Sequence, residues 1–331
     1  MKDKFLQIRK IIENHDNFLL TTHLLPDGDA IGSELALAYY LSKKGKKVFI
    51  INHSSTPEYL EFLDVNKQIL TFRHDVQKNS EIIKNSEVIF LVDTNEFSRT
   101  KSMEKYLLNS NALKICIDHH LDLKESVYDA FISNTEYPAT SQILYDFICD
   151  DDSDFIDEYV AINLYAGIMT DTGSFRYPRT NEQTFIICAD LIRKGADPVK
   201  IFDIIYSNSP KNKILLLARF IDSFKFYYDD RLIIGVVTQS DFDEFNLEVQ
   251  DIEGFSSFTM TIKNVGIGIL LVELNDKIKV SLRSKGNINV NLLAKKIGGG
   301  GHKNAAGATV TNMKLESLLN FIIENSKEIL S

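Results

Sequence analysis

The chain has 331 residues, enough for two domains with hydrophobic cores of their own, and its formal net charge is −9. Binding to long nucleic acids depends mainly on phosphate neutralisation by Lys and Arg. An acidic chain therefore argues against a broad nucleic-acid interface, but not against a phosphate substrate held by a few local cations.

No apolar run approaches the roughly 18 residues needed to span a bilayer. The N-terminal sequence MKDKFLQIRK lacks the apolar core of a signal peptide, and the three cysteines show no CxxC spacing. We therefore expect a soluble cytoplasmic protein whose cysteines are reduced.

Short apolar runs alternate with helical patterns through the first half of the chain. Four runs have the length and composition of strands: residues 18–22, 47–52, 88–93 and 113–118. Helical patterns lie between them, most clearly at residues 30–43 and 57–63. Strands that alternate with helices are typical of βαβ units, so the sequence predicts an α/β domain built on a parallel sheet.

Three of the four predicted strands end in acidic or histidine-containing clusters. The first strand is followed by TTHLLPDGDAIGS, which contains His23, Asp27 and Asp29. The third ends at Asp93, and the fourth ends in an Asp-His-His triplet at residues 118–120. Ligands of open α/β sheets bind outside the carboxyl ends of the strands, so we expect the three clusters to converge in one crevice.

The pattern of predicted elements changes in the second half of the chain. A helical pattern at residues 157–170 leads into TDTGSF, which includes Asp171, and another at residues 182–194 stops at Gly195. A helical pattern at residues 213–223 then precedes two hairpin patterns, 225–228 with 232–238 and 265–274 with 277–283. We predict a first domain over residues 1–190, a linker over 191–212 and a smaller α+β domain over 213–331.

The converging clusters would hold more negative charge than a folded protein tolerates without cations. At an effective dielectric constant near 20, two carboxylates about 5 Å apart repel by about 3 kcal/mol. Divalent cations would remove this repulsion, and oxygen and imidazole ligands without thiolate suit Mn²⁺ or Mg²⁺ better than structural Zn²⁺. Two metals about 3.5–4 Å apart form the usual site for phosphoryl displacement. We therefore predict two divalent cations, with Mn²⁺ favoured.

A glycine run in the second domain is a candidate anion site. It follows a helical pattern at residues 291–296 and precedes His302. Glycines let backbone N–H groups approach an anion closely, although a helix C-cap and loop would also contain glycine. We favour binding because His302 follows immediately and because four glycines exceed what a cap requires. The candidate substrate contacts here are Gly299, Gly300, Gly301 and His302.

The chain resembles the DHH-family phosphoesterases, named for the triplet that stands here at Asp118, His119 and His120. The matching motifs of the first domain are HxxPDGDAxGS at residues 23–33, VDT at 92–94 and YAGIMTDTGSF at 165–175. The second domain resembles the DHH-associated C-terminal domain through VSLRSKG at 280–286 and GGGGHKNAAGA at 298–308. The resemblance covers nearly the whole chain. It is strongest to the small bacterial branch of nanoRNases, pAp phosphatases and stand-alone cyclic-di-AMP or pApA phosphodiesterases.

The resemblance implies a set of metal ligands and an active site in the cleft between the two domains. One metal would be held by His23, Asp27 and Asp93. The other would be held by Asp29, Asp93, His119 and Asp171, so that Asp93 bridges the two.

Binding a phosphate substrate requires further cations, because the charge of two dications is already balanced by the four ligating carboxylates. His120 and His302 are candidates, and Arg283 is added by the resemblance alone. Asp118 would orient the neighbouring histidines. Arg176 and Arg179, which follow TDTGSF, could face the cleft, but a role as solvated surface residues explains them at least as well.

We therefore expect a two-metal phosphoesterase that hydrolyses short 5′-phosphorylated oligoribonucleotides such as pApA, and pAp. A stand-alone cyclic-di-AMP phosphodiesterase is the first alternative. A non-catalytic nucleotide-sensing module is an alternative of another class, which the intact ligand set disfavours. The acidic charge argues against RecJ-like action on long DNA, and the LRSKG and GGGGH motifs favour nucleotides over pyrophosphate. No membrane association is expected, and a homodimer is left open.

Overall fold

A six-stranded, entirely parallel sheet organises the first part of the computed structural model, which describes residues 1–252 and 254–330. Its strands are β1 (Asn17–Thr21), β2 (Lys47–Asn52), β3 (Ile69–Thr71), β4 (Val88–Val92), β5 (Leu113–Asp118) and β6 (Ala130–Ser133). They lie in the order β3-β2-β1-β4-β5-β6, so the chain changes direction across the sheet between β1 and β4. The carboxyl ends of β1, β4 and β5 are therefore neighbours at the point where such sheets bind ligands.

Eight helices accompany this sheet among the described residues of the first unit, Met1–Asn208. They are α1 (Lys2–Glu13), α2 (Gly28–Lys43), α3 (Val76–Asn85), α4 (Glu104–Leu108), α5 (Thr140–Cys149), α6 (Glu158–Asp171), α7 (Glu182–Arg193) and α8 (Pro198–Tyr206). Both faces of the sheet are covered: Phe18 and Leu20 belong to one hydrophobic cluster and Leu19 to another. Burial on both faces explains why the strands read as continuous apolar runs rather than alternating ones.

The second unit, Ser209–Ser331, contains a mixed six-stranded sheet. Its strands are β7 (Lys225–Tyr227), β8 (Leu232–Thr238), β9 (Ile267–Glu273), β10 (Lys277–Ser284), β11 (Gly300–Gly301) and β12 (Ala305–Thr311). Its helices are α9 (Lys211–Asp222), α10 (Gln239–Phe245), α11 (Phe255–Phe258), α12 (Asn291–Lys296) and α13 (Leu315–Leu330). Among the described residues of this unit, β8 and β9 are the only neighbouring strands that pair in parallel; the other neighbours are antiparallel. No helix among the described residues of either unit has the length and hydrophobicity that crossing a bilayer requires.

The four predicted strands of the first domain, its parallel sheet and both hairpins of the second domain are confirmed. The helix predicted at residues 57–63 is wrong, because that segment holds only the single 3₁₀ turn Glu58–Leu60. Two edge strands, β3 and β6, and the N-terminal helix α1 were not predicted. Residues 191–212 contain the end of α7, all of α8 and the start of α9, and the chain divides between Asn208 and Ser209.

Helices α2, α5 and α6 approach one another through glycines. A Cβ on Gly32 would collide with the backbone carbonyl oxygen of Asn163 in α6. A Cβ on Gly167 in α6 would collide with the Ser141 hydroxyl and lie 2.9 Å from a carboxylate oxygen of Asp29. The missing side chains let the N-terminus of α2 and the C-terminus of α6, which both carry predicted ligands, meet in a small volume.

We expect Gly32→Ala to destabilise the protein by about 1–3 kcal/mol, because overpacking forces α2 away from α6. Helix propensity alone predicts the opposite, a gain of roughly 1 kcal/mol. Denaturant unfolding of the variant and the parent measures the difference. Ser42→Ala, at an exposed position of the same helix, is the control and should be neutral or slightly stabilising. A stabilised Gly32→Ala protein would contradict the close approach.

Glu34 is a fully buried carboxyl group on α2. Its Oε2 accepts a hydrogen bond of 2.7 Å from the Asn52 side chain, and Asn52 in turn accepts one from the Thr22 amide. Its Oε1 has no hydrogen-bond partner within the described part of the chain. Burial raises the pKa of Glu34 to about 8, while the hydrogen bond from Asn52 opposes the rise and Asp64 adds to it. The group is therefore protonated at neutral pH, and Oε1 is the oxygen free to carry the proton.

This proton makes stability depend on pH. The folded protein holds it with a pKa of about 8, whereas the ordinary value is 4.5, so the free energy of unfolding falls as pH rises between these values. We expect Glu34→Gln to be more stable than the parent by roughly 2–4 kcal/mol at pH 8 and similar to it below about pH 4.5. Urea unfolding at both pH values tests this, with Glu58→Gln at an exposed site as control. Equal pH slopes for parent and Glu34→Gln would refute it.

Candidate metal centre

The structure brings the predicted acidic and histidine residues of the first unit together at the carboxyl edge of the sheet. His23 follows β1, Asp93 follows β4 and the triplet begins at the last residue of β5. Three overlapping groups result, and within each the ligand atoms lie within 4.8 Å of one another. The groups are His23, Asp27 and Asp93; Asp29, His119 and Asp171; and Asp93, His119 and His120.

Asp93 lies at the centre of these groups. Its Oδ2 is 3.6 Å from Nε2 of His23, and its Oδ1 is 3.5 Å from Nε2 of His119. The Thr140 hydroxyl donates a hydrogen bond of 2.8 Å to Oδ1. Its backbone has a φ of 56°, a left-handed conformation that aspartate tolerates at a modest cost in strain. With one oxygen toward each histidine, Asp93 has the geometry of a bridging ligand.

Asp27 and Asp29, at the start of α2, cap the N-termini of two different helices. Oδ1 of Asp27 accepts hydrogen bonds from the amides of Asp29 and Ala30, so Asp27 is the N-cap of its own helix. The carboxylate of Asp29 accepts the amides of Thr140 at 2.6 Å and Ser141 at 2.8 Å, so it caps the N-terminus of α5 instead. Both carboxylates are thereby fixed, and each keeps further lone pairs for a cation.

Two histidines are oriented by backbone carbonyls. Nδ1 of His23 lies 2.9 Å from the carbonyl oxygen of Leu24, and Nδ1 of His119 lies 3.2 Å from that of Tyr137. A histidine that donates from Nδ1 presents an unprotonated Nε2, the usual arrangement of a metal ligand. The buried Nε2 of His119 has no hydrogen-bond partner in the described residues and lies 3.2 Å from a carboxylate oxygen of Asp171. A cation between these atoms would satisfy both.

Asp118 orients His120 rather than His119. Its Oδ1 is 2.7 Å from Nδ1 of His120, and its Oδ2 accepts the His120 amide at 3.0 Å. Asp118 is completely buried, whereas the His120 side chain is 40% exposed. A buried carboxylate at Nδ1 fixes the tautomer and orientation of the ring, so Nε2 is the nitrogen left for other contacts.

The electrostatics favour bound cations. Burial raises the pKa of Asp93 well above its ordinary value, and Asp29, Asp27, Asp171 and Asp118 raise it further. Burial, Asp29, Asp27 and Asp118 raise the pKa of Asp171 to about 8, while Arg179 opposes the rise. Asp171 also stands at the C-terminal end of α6, where the helix dipole disfavours negative charge.

Within the described ranges, no lysine or arginine nitrogen lies within 4.0 Å of a carboxylate oxygen of this centre. Burial lowers the pKa of His23 and of His119, so both imidazoles are neutral and able to ligate. The donor set therefore fits divalent cations.

Arg283, one of the predicted substrate contacts of the second unit, lies on β10; the others lie on β11 or next to it. Arg283 is half-buried on β10, burial lowers the pKa of its guanidinium, and Nη1 donates to the neighbouring Leu282 carbonyl. No carboxylate in the described residues lies within salt-bridge distance of it. It is thus a half-desolvated cation available to an anion.

The glycine run differs from its expected form. Gly300 and Gly301 form strand β11 and pair with Gly307 and Ala306. The amides of Gly298, Gly299 and His302 donate to the carbonyl oxygens of Lys295, Ala294 and Ala305, respectively, so these three amides are already paired within the chain. A Cβ at Gly299 or Gly301 would collide with β12, which explains these glycines by close packing. The His302 side chain is exposed.

Some residues of the centre were missed by the sequence analysis. Thr140 and Ser141 hold Asp29 and Asp93, and the Tyr137 carbonyl holds His119. The Thr-Ser pair that opens an apolar helical pattern after Pro138 is a recognisable helix start. Its partners, more than 40 residues away, have no local signature.

Two family models match the chain, one in each unit. The DHH family, N-terminal domain, matches residues 17–168, and the DHHA1 domain matches residues 229–328. A bifunctional oligoribonuclease and PAP phosphatase NrnA from Thermus thermophilus is 26% identical over 94% of this chain and 90% of its own length. A cyclic-di-AMP phosphodiesterase PdeA from Listeria monocytogenes is 25% identical over 93% of this chain, which spans 47% of that protein.

A solved structure matches the whole chain. It is an exopolyphosphatase-related protein from Bacteroides fragilis, with a TM-score of 0.94 and 30% identity, covering 100% of this chain and 98% of that one. With a DHH N-terminal domain followed by a DHHA1 domain, this chain belongs to the DHH family of phosphoesterases.

Proposed function

We propose that this protein is a two-metal phosphoesterase that hydrolyses short 5′-phosphorylated oligoribonucleotides, pApA among them, and pAp. The observation that carries the proposal is Asp93, whose two carboxylate oxygens face two different histidines within overlapping groups of ligand atoms. The relative named as an oligoribonuclease and PAP phosphatase supports the substrate class, because it aligns over nearly the full length of both chains. We expect such an enzyme to act in the cytoplasm.

The proposed ligands divide between two cations. His23, Asp27 and Asp93 hold one, and Asp29, Asp93, His119 and Asp171 hold the other. Mn²⁺ is favoured over Mg²⁺ because imidazole and carboxylate are mixed. When bound, such a pair lowers the pKa of a coordinated water and neutralises charge on the phosphoryl oxygens.

The remaining roles fall to side chains without a ligand position. His120, oriented by Asp118, holds a proton near the scissile phosphate and stabilises the negative charge that develops there. Arg283 and His302 contact phosphate groups away from the reacting phosphorus.

A cyclic-di-AMP phosphodiesterase remains the second candidate, because the Listeria relative carries that name. A cyclic dinucleotide has no terminal phosphate for Arg283 and His302 to contact, so we favour the linear substrates. A pure sensing module has no need for buried carboxylates that repel one another in the absence of cations.

We expect Asp93→Asn to lose Mn²⁺ binding and about 1000-fold or more in kcat, since a bridging ligand contributes several kcal/mol. The metal-free variant should be more stable than the metal-free parent, because one repelling charge is gone. Asp118→Asn should keep its metal and lose only about 10- to 100-fold. Metal content, turnover and thermal unfolding measure all three. A fully active Asp93→Asn protein would refute the bridging role.

We expect Arg283→Ala and His302→Ala to lower kcat/KM by about 10-fold or more while metal content stays unchanged, because neither is proposed as a ligand and each removes one charge-assisted contact. Lys279→Ala, on the same strand as Arg283, is the matched control and should have parental activity. Lower Mn²⁺ content in either variant would contradict this division of roles.

The substrate proposal is tested by product analysis on pAp, pApA, a 24-nucleotide RNA, cyclic-di-AMP and pyrophosphate. We expect kcat/KM to be highest for pApA and low for the long RNA, which an acidic protein binds poorly. Faster hydrolysis of cyclic-di-AMP than of pApA would establish the second candidate instead. Preference for the long RNA would exclude both.

A further inference from the structure

A second feature adjoins the metal centre at Asp171. A cavity of about 240 Å³ opens there, lined by Pro138, Asp171, Thr172, Tyr177, Pro178 and Arg179. Its volume is on the scale of one flat heterocycle rather than of an oligonucleotide chain. Two prolines and an aromatic ring give it apolar walls, and Arg179 adds a positive charge near Asp171.

The wall that carries Tyr177 is held by an unusual turn. Gly173, Ser174 and Phe175 follow one another with φ of 56°, 57° and 67°. Two of these three are not glycine, and a left-handed conformation costs such residues of order 1 kcal/mol each. A Cβ on Gly173 would collide with the Tyr177 ring, so the ring lies directly against this turn.

The turn is fixed from its other side. The Phe175 ring packs on Phe185 and Tyr165 at centroid distances of 5.4 and 6.1 Å. Its amide donates to the Thr172 hydroxyl, and the Arg176 side chain donates to the Gly173 carbonyl. The Tyr177 ring is thereby supported on one face and is still 56% exposed.

A single exposed tyrosine needs no explanation in itself. Three observations set Tyr177 apart. Its ring packs against a turn with strained backbone angles, the ring lines a cavity, and that cavity shares Asp171 with the metal centre. An aromatic face beside a phosphate site, with a cation next to it, matches the two parts of a nucleotide. Aromatic stacking serves every base, because each base has a π face.

We propose that Tyr177 and the two prolines form a nucleobase subsite that stacks the base on one side of the scissile phosphate, with Arg179 contacting that nucleotide's phosphate. This rests on the proposed function for the identity of the phosphate. The subsite itself requires only that the protein binds a nucleotide. Specificity for nucleotides over pyrophosphate would then come partly from the first unit.

The first test uses the absence of tryptophan from the sequence. Tyr177→Trp introduces a single reporter whose fluorescence should be quenched by AMP and by pApA in the presence of Mg²⁺. Ribose 5-phosphate and pyrophosphate, which lack a base, should leave it unchanged. Tyr59→Trp, at another exposed tyrosine, should respond to none of them. No quenching by either nucleotide, equal quenching by ribose 5-phosphate, or the same response from Tyr59→Trp overturns the subsite, whether or not the protein hydrolyses pApA.

The second test measures hydrolysis on pApA and on two analogues, each lacking one of its two bases. We expect Tyr177→Ala to lose about 10- to 100-fold in kcat/KM on pApA, mainly through KM, with unchanged Mn²⁺ content. Tyr177→Phe should stay within about 2-fold of the parent because its ring also stacks. Parent and Tyr177→Ala should be equal on the analogue that lacks the stacked base. Equal losses on all three substrates would show a structural defect and overturn the proposal.

Discussion

Electrostatic repulsion among the carboxylates of Asp27, Asp29, Asp93 and Asp171 is the constraint around which the first unit is built. Four ionised groups confined within a few ångströms destabilise the fold by several kcal/mol unless cations or protons intervene. Within the described residues the protein supplies no lysine or arginine contact to any of them. It supplies backbone amides, a threonine hydroxyl and histidines instead. These groups fix the carboxylates without neutralising them, so the charge is kept for metal ions.

The rest of the unit keeps this charge in one place. The chain adds β2 and β3 on one side of β1 and β4, β5 and β6 on the other. This reversal between β1 and β4 opens space at the carboxyl edge and sets His23 beside Asp93. Glycines at α2 and α6 let those helices approach closely enough for Asp29 and Asp171 to share a histidine. Burial on both faces of the sheet makes the scaffold rigid, which is the condition for holding repelling groups at fixed distances.

The sequence was informative where chemistry is attached to a strand end. His23, Asp93 and the 118–120 triplet follow apolar runs, and the rule that parallel strands share a carboxyl edge was sufficient to bring them together. The sequence was less informative where backbone atoms hold the side chains of the centre. The amides of α5 that hold Asp29, and the Tyr137 carbonyl that orients His119, have no side-chain signature. The short strands β3 and β6 were missed because three or four residues give too little pattern. The glycine run was read as an anion site, whereas sterics at β12 explain at least two of its members.

Asp29 carries a consequence for anyone who would change the metal preference of this centre. Its carboxylate serves as the N-terminal cap of α5, a helix more than a hundred residues further along the chain. A replacement ligand such as cysteine or histidine could coordinate a softer ion, but it cannot accept two adjacent amides with two coplanar oxygens. Redesign at this position would leave the α5 amides unpaired in a buried environment. One side chain is thus both a proposed metal ligand and the cap of a distant helix, so any substitution there alters both roles.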